Sequence, residues 1–434
     1  MEHAFGLLGF AVLLTLIFLR VPVGISMLVV GVVGTAQLTS LNGALNSMTG
    51  QVFAITTTYS LSVLPLFIFM GNLATKARLS RDLYDAAFVL IGHVRGGLAS
   101  ATVVGCAGFA ALSGSSIASA STMGRVSYPE MKRRDYDAGL ATGTIAAGGT
   151  LGILLPPSTG FVLYAILTEE SIGRLFMAGI MPGLLLTGLF LLTISILVWL
   201  APEKGGGAAV AEPDTSKRAV LMGAFPIAGI ILCTIGGIYI GFFTPVEAAG
   251  AGAALTLLVA LLRRQLDWRG LVEVLSDTLE TTGLCFLILI GAMVFAPFVA
   301  LSGLPATVAE TVTGLSSNPY LVMIAILLTY AVLGMVIEGL SLMVITLPII
   351  FPVVIGLGFD PIWFGVIMVL VLEMGLISPP VGVNCFVVKS VAPDVPLGQI
   401  FRGVLPFWAA MGCCIALLLV FPQIALIIPN AMFG

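Results

Sequence analysis

The stretch AALSGSSIASASTMGR, residues 110–125, decides how the rest of the chain is interpreted. It lies in a sequence hydrophobic enough for a membrane, yet hydroxyl side chains and glycines fill it. A second such stretch, GGTLGILLPPST at residues 148–159, follows it. Backbone groups without hydrogen-bond partners are costly in a bilayer unless they line a cavity. Both stretches therefore predict helices that are interrupted at membrane depth, at a functional site.

The composition identifies a membrane protein with many spans. Of the 434 residues, 59% are hydrophobic and only 9% are charged, with a mean hydropathy of +1.15. A soluble domain has about 25% charged residues. The net charge of −3 provides no basic surface for nucleic acid. The N-terminus begins with an acidic residue and has no small-residue cleavage site, so we expect the first span there rather than a signal peptide.

Few side chains could support catalysis or bind a transition metal. The only histidines are His3 and His93. The six cysteines all lie in apolar segments without a C-x-x-C spacing, which favours buried apolar side chains. The sequence has no phosphate-binding loop of the Walker type, so we expect no ATP hydrolysis by this chain. A membrane-embedded enzyme is disfavoured.

The two halves of the chain carry matching motifs. Four pairs recur at spacings of 223 to 225 residues, which indicates an internal duplication. The pairs are Ser113-Gly114-x-Ser116 with Glu338-Gly339-x-Ser341, Pro156-Pro157 with Pro379-Pro380, Gly179 and Pro182 with Gly403 and Pro406, and Pro22-Val23 with Pro245-Val246.

The duplication predicts the organisation of the chain. Residues 1–200 form a first repeat, with a re-entrant hairpin at 96–130 and an interrupted span at 138–168. Residues 201–218, rich in Gly, Ala and Pro, form a flexible cytoplasmic linker. Residues 219–434 form a second repeat, with a hairpin at 319–357 and an interrupted span at 361–391.

Lysine and arginine positions predict the orientation. If the N-terminus is periplasmic, 17 of the 18 basic residues lie at or near the cytoplasmic side, and Arg174 alone lies outside. With about five spans and one hairpin in each half, the second half begins inside the cell. The predicted fold is therefore an all-α polytopic membrane protein with two inverted repeats.

Inverted repeats with interrupted helices are typical of secondary transporters. The N-termini of half-helices favour anionic substrates, and unwound carbonyl groups are suitable Na⁺ ligands. Intramembrane acids are functional by default, which singles out Glu338 and Glu373. Glu247, near a helix start, is explained as well by capping, and Arg125 either pairs with a substrate carboxylate or only sets the topology. Serine and glycine residues are also common where membrane helices merely pack together, and Ser121 fits that explanation.

Three motifs closely resemble one known family. They are SGSS at residues 113–116, ATGTIAAGGTLGILLPPS at 141–158 and GLISPPVGVNCFV at 375–387. They are similar to the large membrane subunit of TRAP transporters, the tripartite ATP-independent periplasmic systems. The resemblance implies a Na⁺-driven importer of organic acids, such as C4-dicarboxylates or sialic acid, in the bacterial inner membrane. It also implies an elevator with scaffold and transport domains, a small four-span membrane subunit as a separate chain, and a periplasmic substrate-binding protein.

The resemblance also implies binding sites on this chain. The Na⁺ sites would form where each hairpin tip meets the break of its interrupted span, and the substrate would lie between the tips. The implied Na⁺ ligands are Ser113, Gly114, Ser116, Gly148, Thr150 and Pro156 at the first site, and Glu338, Gly339, Ser341, Gly375, Ile377 and Pro380 at the second. The implied substrate contacts are Ser115, Ser116, Ser119, Arg125, Ser158 and Asn384. Many relatives have an acid where this chain has Ser119.

Two alternative functions, both in transport, remain compatible with the sequence. A stand-alone anion symporter or Na⁺/H⁺ exchanger would share the inverted architecture but would need no periplasmic binding protein. A channel is less compatible with two closed hairpins, which favour alternating access.

Overall fold

The computed structural model describes residues 2–206, 217–315 and 318–433, and this part of the chain is helical without β-strands. Every interruption predicted in the first half falls between two of its helices. The helices are α1 (Glu2–Phe18), α2 (Val23–Leu38), α3 (Leu41–Thr57), α4 (Val63–Lys76), α5 (Leu79–Ile91), α6 (Gly97–Ser113), α7 (Ser116–Arg133), α8 (Ala138–Leu154), α9 (Thr159–Thr168) and α10 (Ile172–Leu200).

The second half repeats this alternation of long and broken helices. A π-helical turn, Leu232–Gly236, separates α11 from the short α12. The helices are α11 (Lys217–Ile231), α12 (Gly237–Tyr239), α13 (Pro245–Leu262), α14 (Trp268–Leu301), α15 (Leu304–Leu315), α16 (Pro319–Gly334), α17 (Gly339–Gly356), α18 (Pro361–Leu376), α19 (Val383–Val391), α20 (Leu397–Val420) and α21 (Gln423–Phe433).

Several helices are long and apolar enough to cross a bilayer. Within the described residues seven meet this criterion, α8 and α9 counting as one, and eight do if α3 and the segment Tyr59–Lys76, bent by 59°, form one span. Shorter apolar helices include α2, α6, α16 and α18. These spans confirm a polytopic membrane protein.

The interrupted helices occupy the centre of the molecule. Every residue from Gly139 to Leu154 in α8 is buried, and so is every residue from Ile362 to Leu376 in α18. By contrast, exposed apolar side chains such as Trp199 and Phe225 lie on α10 and α11. A membrane helix that is buried on all sides is surrounded by protein rather than lipid. The break in α8–α9, which is itself buried, is thus screened from lipid. In the break between α18 and α19, Pro379, Pro380 and Val381 are exposed.

Helices α8 and α20 cross with their backbones in contact. A Cβ atom added at Gly403 would lie 2.0 Å from the carbonyl oxygen of Gly139, and one added at Gly143 would lie 2.2 Å from the carbonyl oxygen of Gly403. Small residues allow such close packing between membrane helices. The crossing joins an interrupted helix of the first half to the second half.

We expect Gly403→Ala to destabilise the protein by about 1–3 kcal/mol, because the new methyl group overlaps the backbone of α8. Gly412→Ala is the matched control, since it lies in the same helix and a Cβ atom there meets no atom within 4 Å. Thermal unfolding of the purified protein measures both. Equal stability of the two variants would contradict the close crossing.

Polar contacts also join the two halves at the membrane surface. Lys132 pairs with Asp394 at 2.9 Å, and Tyr128 donates a hydrogen bond to the same carboxylate at 2.8 Å. These two contacts lower the pKa of Asp394 to about 2, so the group is ionised at neutral pH. A second pair joins Asp82 to Arg263. Exposed pairs add little stability, but the two contacts of Asp394 connect the base of α7 to the loop after α19, and the Asp82–Arg263 pair connects α5 to the end of α13.

The predicted linker differs from the structure at its start. Pro202–Gly205 forms a 3₁₀ turn, and the carbonyl group of Lys204 accepts a hydrogen bond from the Asp137 backbone at 3.1 Å. Gly205 is buried against the side chain of Val198. This first part is therefore packed, and the prediction of flexibility there was wrong. Most of the rest of the predicted linker, residues 207–216, lies outside the described residues.

Candidate functional site

The first hairpin tip is a sharp turn between α6 and α7. Gly114 ends α6 with a φ of +59°, a left-handed conformation that suits glycine. Ser115 then caps α7 by accepting a hydrogen bond from the backbone of Ala118 at 3.3 Å. The hydroxyl groups of Ser113 and Ser119 are 3.0 Å apart and both are buried. The tip thus collects hydroxyl groups at the start of a helix.

This tip lies against the break between α8 and α9. The carbonyl group of Gly114 accepts hydrogen bonds from the Thr159 hydroxyl at 3.0 Å and backbone at 3.4 Å. A Cβ atom at Gly152 would lie 2.5 Å from the carbonyl oxygen of Ser115. Ser158 caps α9 by accepting from the backbone of Phe161 at 3.2 Å. The tip and break expected to form the first Na⁺ site are therefore adjacent.

Two residues of the expected first site face other groups. Gly148 faces α6, where an added Cβ atom would lie 2.9 Å from the Cys106 sulfur. The buried hydroxyl of Thr150 donates to the carbonyl group of Ala147 at 2.6 Å. Both residues therefore lie inside α8, and neither directs a free side chain to the break.

The second hairpin tip has an acid, Glu338, where the first has Ser113. Glu338 caps α17, and its carboxylate accepts hydrogen bonds from the backbones of Leu340 at 3.0 Å and Ser341 at 2.8 Å. The side chain is exposed, whereas Gly339 and Ser341 are buried. A carboxylate at this position also interacts favourably with the positive end of the helix dipole.

The second tip lies against the break between α18 and α19. The backbone of Val381 donates to the carbonyl group of Met335 at 3.3 Å. A Cβ atom at Gly375 would lie 2.7 Å from the carbonyl oxygen of Gly334. Ser378, inside the break, accepts a hydrogen bond from the Trp408 side chain at 2.9 Å. Gly375 and the turn that contains Pro380 thus lie beside the second tip, whereas the carbonyl group of Ile377 accepts a hydrogen bond from the Cys385 thiol at 3.5 Å. Both the Pro156-Pro157 and the Pro379-Pro380 bonds are cis.

A buried hydrogen bond joins the first tip to the second half. The hydroxyl group of Ser116 donates to the carboxyl group of Glu373 at 2.5 Å, and these residues are 1% and 2% exposed. Glu373 stood out in the sequence as an intramembrane acid but was not included among the expected ligands. Its partner lies 257 residues earlier in the chain, so only the fold reveals the contact.

Glu373 also lines a small pocket between the halves. Its walls come from the first interrupted span, from α18 and from the second tip, and they leave room for about one water-sized particle. The lining residues include Ile153, Gly160, Glu338, Gly339, Met343 and Glu373.

The remaining expected substrate contacts are spread more widely. Asn384 is buried, its amide nitrogen lies 3.4 Å from the carbonyl oxygen of Ala146, and its amide oxygen has no partner among the described residues. Arg125 is exposed and lies more than two turns beyond Ser116 along α7. The structure therefore does not bring Arg125 to the tip. Glu247 forms a capping box with Thr244, which supports its structural interpretation.

Residues 10–424 match the family described as the tripartite ATP-independent periplasmic transporter, DctM component. The chain belongs to this family. It is 36% identical to the C4-dicarboxylate TRAP transporter large permease protein DctM of Pseudomonas aeruginosa, over 89% of this chain and 90% of that protein. It is 32% identical to the sialic acid TRAP transporter large permease protein SiaM of Vibrio cholerae, over 99% and 98%.

A solved structure shares the fold. The YdaH transporter of Alcanivorax borkumensis superposes with a TM-score of 0.60 over 88% of each chain, at 18% sequence identity. A relative from Oleidesulfovibrio alaskensis, 33% identical over 81% of this chain and 55% of that protein, is an isethionate TRAP transporter permease protein. These relatives are transport permeases, which confirms the prediction of a transporter subunit rather than an enzyme.

Proposed function

We propose that this chain is the large membrane subunit of a Na⁺-coupled importer of organic acids in the bacterial inner membrane. One observation carries the proposal. Each hairpin tip lies against the break of an interrupted span, and the hydrogen bond from Ser116 to Glu373 joins the first such pair to the second. Family membership supports the transport role. The importer would receive its substrate from a periplasmic binding protein and would include a small four-span membrane subunit.

The oxygen atoms at each tip and break suit Na⁺. Na⁺ prefers hard oxygen ligands, and helix breaks provide carbonyl groups that no helical hydrogen bond uses. At the first unit Ser113, Ser116 and the carbonyl groups of the break that leads from the end of α8 to Pro156 would bind one ion. At the second, the residues Glu338, Gly339, Ser341, Gly375, Ile377 and Pro380 would bind another. The Na⁺ ions would be transported together with the organic acid, and they would move down their concentration gradient.

The substrate is proposed to be a small organic anion. The relatives named above carry C4-dicarboxylates, sialic acid and isethionate, all of which are negatively charged. The N-termini of α7 and α9 would attract such an anion. Ser115, Ser116, Ser119, Ser158 and Asn384 would provide hydrogen bonds, and Arg125 would provide a positive charge if α7 approaches the substrate in another conformation.

We further propose that the two halves are inverted repeats that work as an elevator. The tips would open to opposite sides of the membrane, and the buried helices α8 and α18 would belong to the moving transport domain. The charge asymmetry of the sequence supports this orientation, with a periplasmic N-terminus.

Uptake by reconstituted vesicles tests the function. The chain and its small subunit are placed in liposomes under an inward Na⁺ gradient, and labelled organic acids are supplied with and without the periplasmic binding protein. The proposal expects saturable uptake only with that protein. Equally fast uptake without it would instead support a stand-alone anion symporter or a Na⁺/H⁺ exchanger.

Cysteine labelling tests the orientation. In a background lacking the six native cysteines, Asp135→Cys lies just after α7 and Gly356→Cys lies at the end of α17. Both positions are exposed. A maleimide that cannot cross membranes should label position 356 in intact spheroplasts, and position 135 only after the membrane is opened. Labelling of both from one side would contradict inverted repeats.

A further inference from the structure

Helix α14 presents an exposed polar face in its first half. Glu273, Ser276, Glu280 and Gly283 follow one another at intervals of three or four residues, so they lie on one side of the helix and form what we call the acidic seam. All four are exposed, and a Cβ atom at Gly283 would meet no atom within 4 Å. Such a face is ordinary in water, but within a bilayer it requires a protein partner.

The neighbouring helices place the acidic seam at membrane depth. The side chain of Asn72 in α4 donates a hydrogen bond at 3.1 Å to the hydroxyl group of Thr278, which lies two residues before Glu280. Two residues before Asn72 is Met70, and a Cβ atom at Gly252 would lie 2.6 Å from its sulfur. Gly252 is near the middle of α13, an apolar span of 18 residues. Glu280 therefore lies at about the depth of the middle of that span.

A carboxylate at this depth needs a positive partner. From the middle of α13 onward the exposed side chains, such as Ala254 and Leu258, are apolar, as expected of a surface that faces lipid. An ionised side chain that faces lipid is costly, and in membrane proteins such groups pair with one another. In the described part of the chain no ion pair includes Glu280, and Lys76 is paired with Glu273. The partner of Glu280 must come from another molecule.

We propose that the acidic seam is the docking face for the small four-span membrane subunit, and that Glu280 pairs there with a basic side chain of one of its transmembrane helices. The inference rests on the proposed composition of the transporter. Ser276 and Gly283 lie on either side of Glu280, and small residues let membrane helices approach closely. The seam thus combines room for a second helix with a charge that a basic residue would balance.

Two other occupants of the acidic seam are disfavoured by its charge and depth. A second copy of this chain, packed by two-fold symmetry on the same seam, would bring like charges together. A lipid carries its charge in the headgroup, at the membrane surface rather than at the depth of Glu280. A transmembrane helix with a basic residue meets both requirements.

Changing the charge of Glu280 tests the pairing. The purified chain is immobilised, the detergent-solubilised small subunit is titrated onto it, and an apparent Kd is measured. We expect Glu280→Gln, which keeps the size but removes the charge, to raise the Kd about thirtyfold, and Glu280→Lys to abolish binding. Glu280→Asp, which keeps the charge, should recover most of the affinity. Glu203→Lys is the matched control, because it reverses another exposed acid, in the turn after α10, and it should bind like the wild type.

Photo-crosslinking identifies the occupant of the acidic seam directly. The two subunits are co-expressed with different tags, and Ser276 is replaced by the photo-reactive amino acid p-benzoylphenylalanine. Irradiation of the membranes should produce a product that carries both tags. The same amino acid in place of Ala254, which is exposed on the apolar face of α13, should give no such product.

Each result decides a different point. Wild-type affinity in Glu280→Gln and Glu280→Lys, or a cross-link from position 276 only to a second copy of this chain or to lipid, would overturn the docking face while leaving the proposed composition intact. If the small subunit does not bind even the wild-type chain, the proposed composition fails, and this inference fails with it. If Glu280→Lys does not fold, the comparison of Glu280→Gln with Glu280→Asp and the cross-link from position 276 still decide.

Discussion

Ser116→Ala is expected to reduce the initial rate of Na⁺-driven uptake at least about tenfold. The change removes a proposed ion ligand and also leaves the buried Glu373 carboxyl group without its hydroxyl partner, and such unsatisfied groups are costly. Uptake in reconstituted vesicles at several Na⁺ concentrations measures the effect, which should be greatest at low Na⁺.

Ser121→Ala is the control for this prediction. It makes the same change in the same helix, at a half-buried position where a serine only contributes to helix packing. Its uptake should stay within about twofold of the wild type. If both variants transported like the wild type, the tip assignment would be refuted, and if Ser116→Ala were merely unfolded, its thermal transition would reveal it.

Gly152→Ala is expected to abolish most transport, because it separates the first tip from the first break. The new methyl carbon would lie 2.5 Å from the carbonyl oxygen of Ser115 and 2.7 Å from the hydroxyl of Ser119. Neither α7 nor α8 can move away easily to make room for the methyl group, because both helices are packed on the residues around Gly152. We expect the free energy of unfolding to fall by about 1–3 kcal/mol. We expect the affinity for Na⁺ to fall by a larger factor than this loss of stability alone would cause.

Gly188→Ala is the matched control for Gly152→Ala. It also lies within a membrane helix, α10, but a Cβ atom there meets no atom within 4 Å. It should retain full uptake. Normal Na⁺-driven uptake by Gly152→Ala would show that the contact between tip and break is not needed.

The positions of the tips and breaks could be predicted because they violate the surrounding pattern. Glycines, prolines and clustered serines within apolar runs mark places where a helix cannot continue. The structure ends α6 at Ser113 and begins α7 at Ser116, where the sequence placed the turn. It likewise interrupts α8–α9 and α18–α19 at the paired prolines.

The contacts between the halves could not be predicted, because they depend on how distant segments pack. The sequence identified Glu373 as unusual but could not reveal Ser116 as its partner. The position of Asn384 beside Ala146 has the same origin. Pro202–Gly205 was taken for part of a flexible linker because its composition resembles one, yet a backbone hydrogen bond to Asp137 orders it. Local composition does not reveal such tertiary contacts.

The proposed coupling of organic-anion uptake to Na⁺ is the property on which the function of this chain depends. Concentrative uptake tests it most directly: vesicles containing the complete transporter are loaded with K⁺ and diluted into Na⁺ with the binding protein and a labelled organic acid. We expect the acid to accumulate above its external concentration, and we expect this accumulation to disappear when K⁺ replaces Na⁺ outside. Accumulation that is equal in K⁺ and Na⁺ would contradict it.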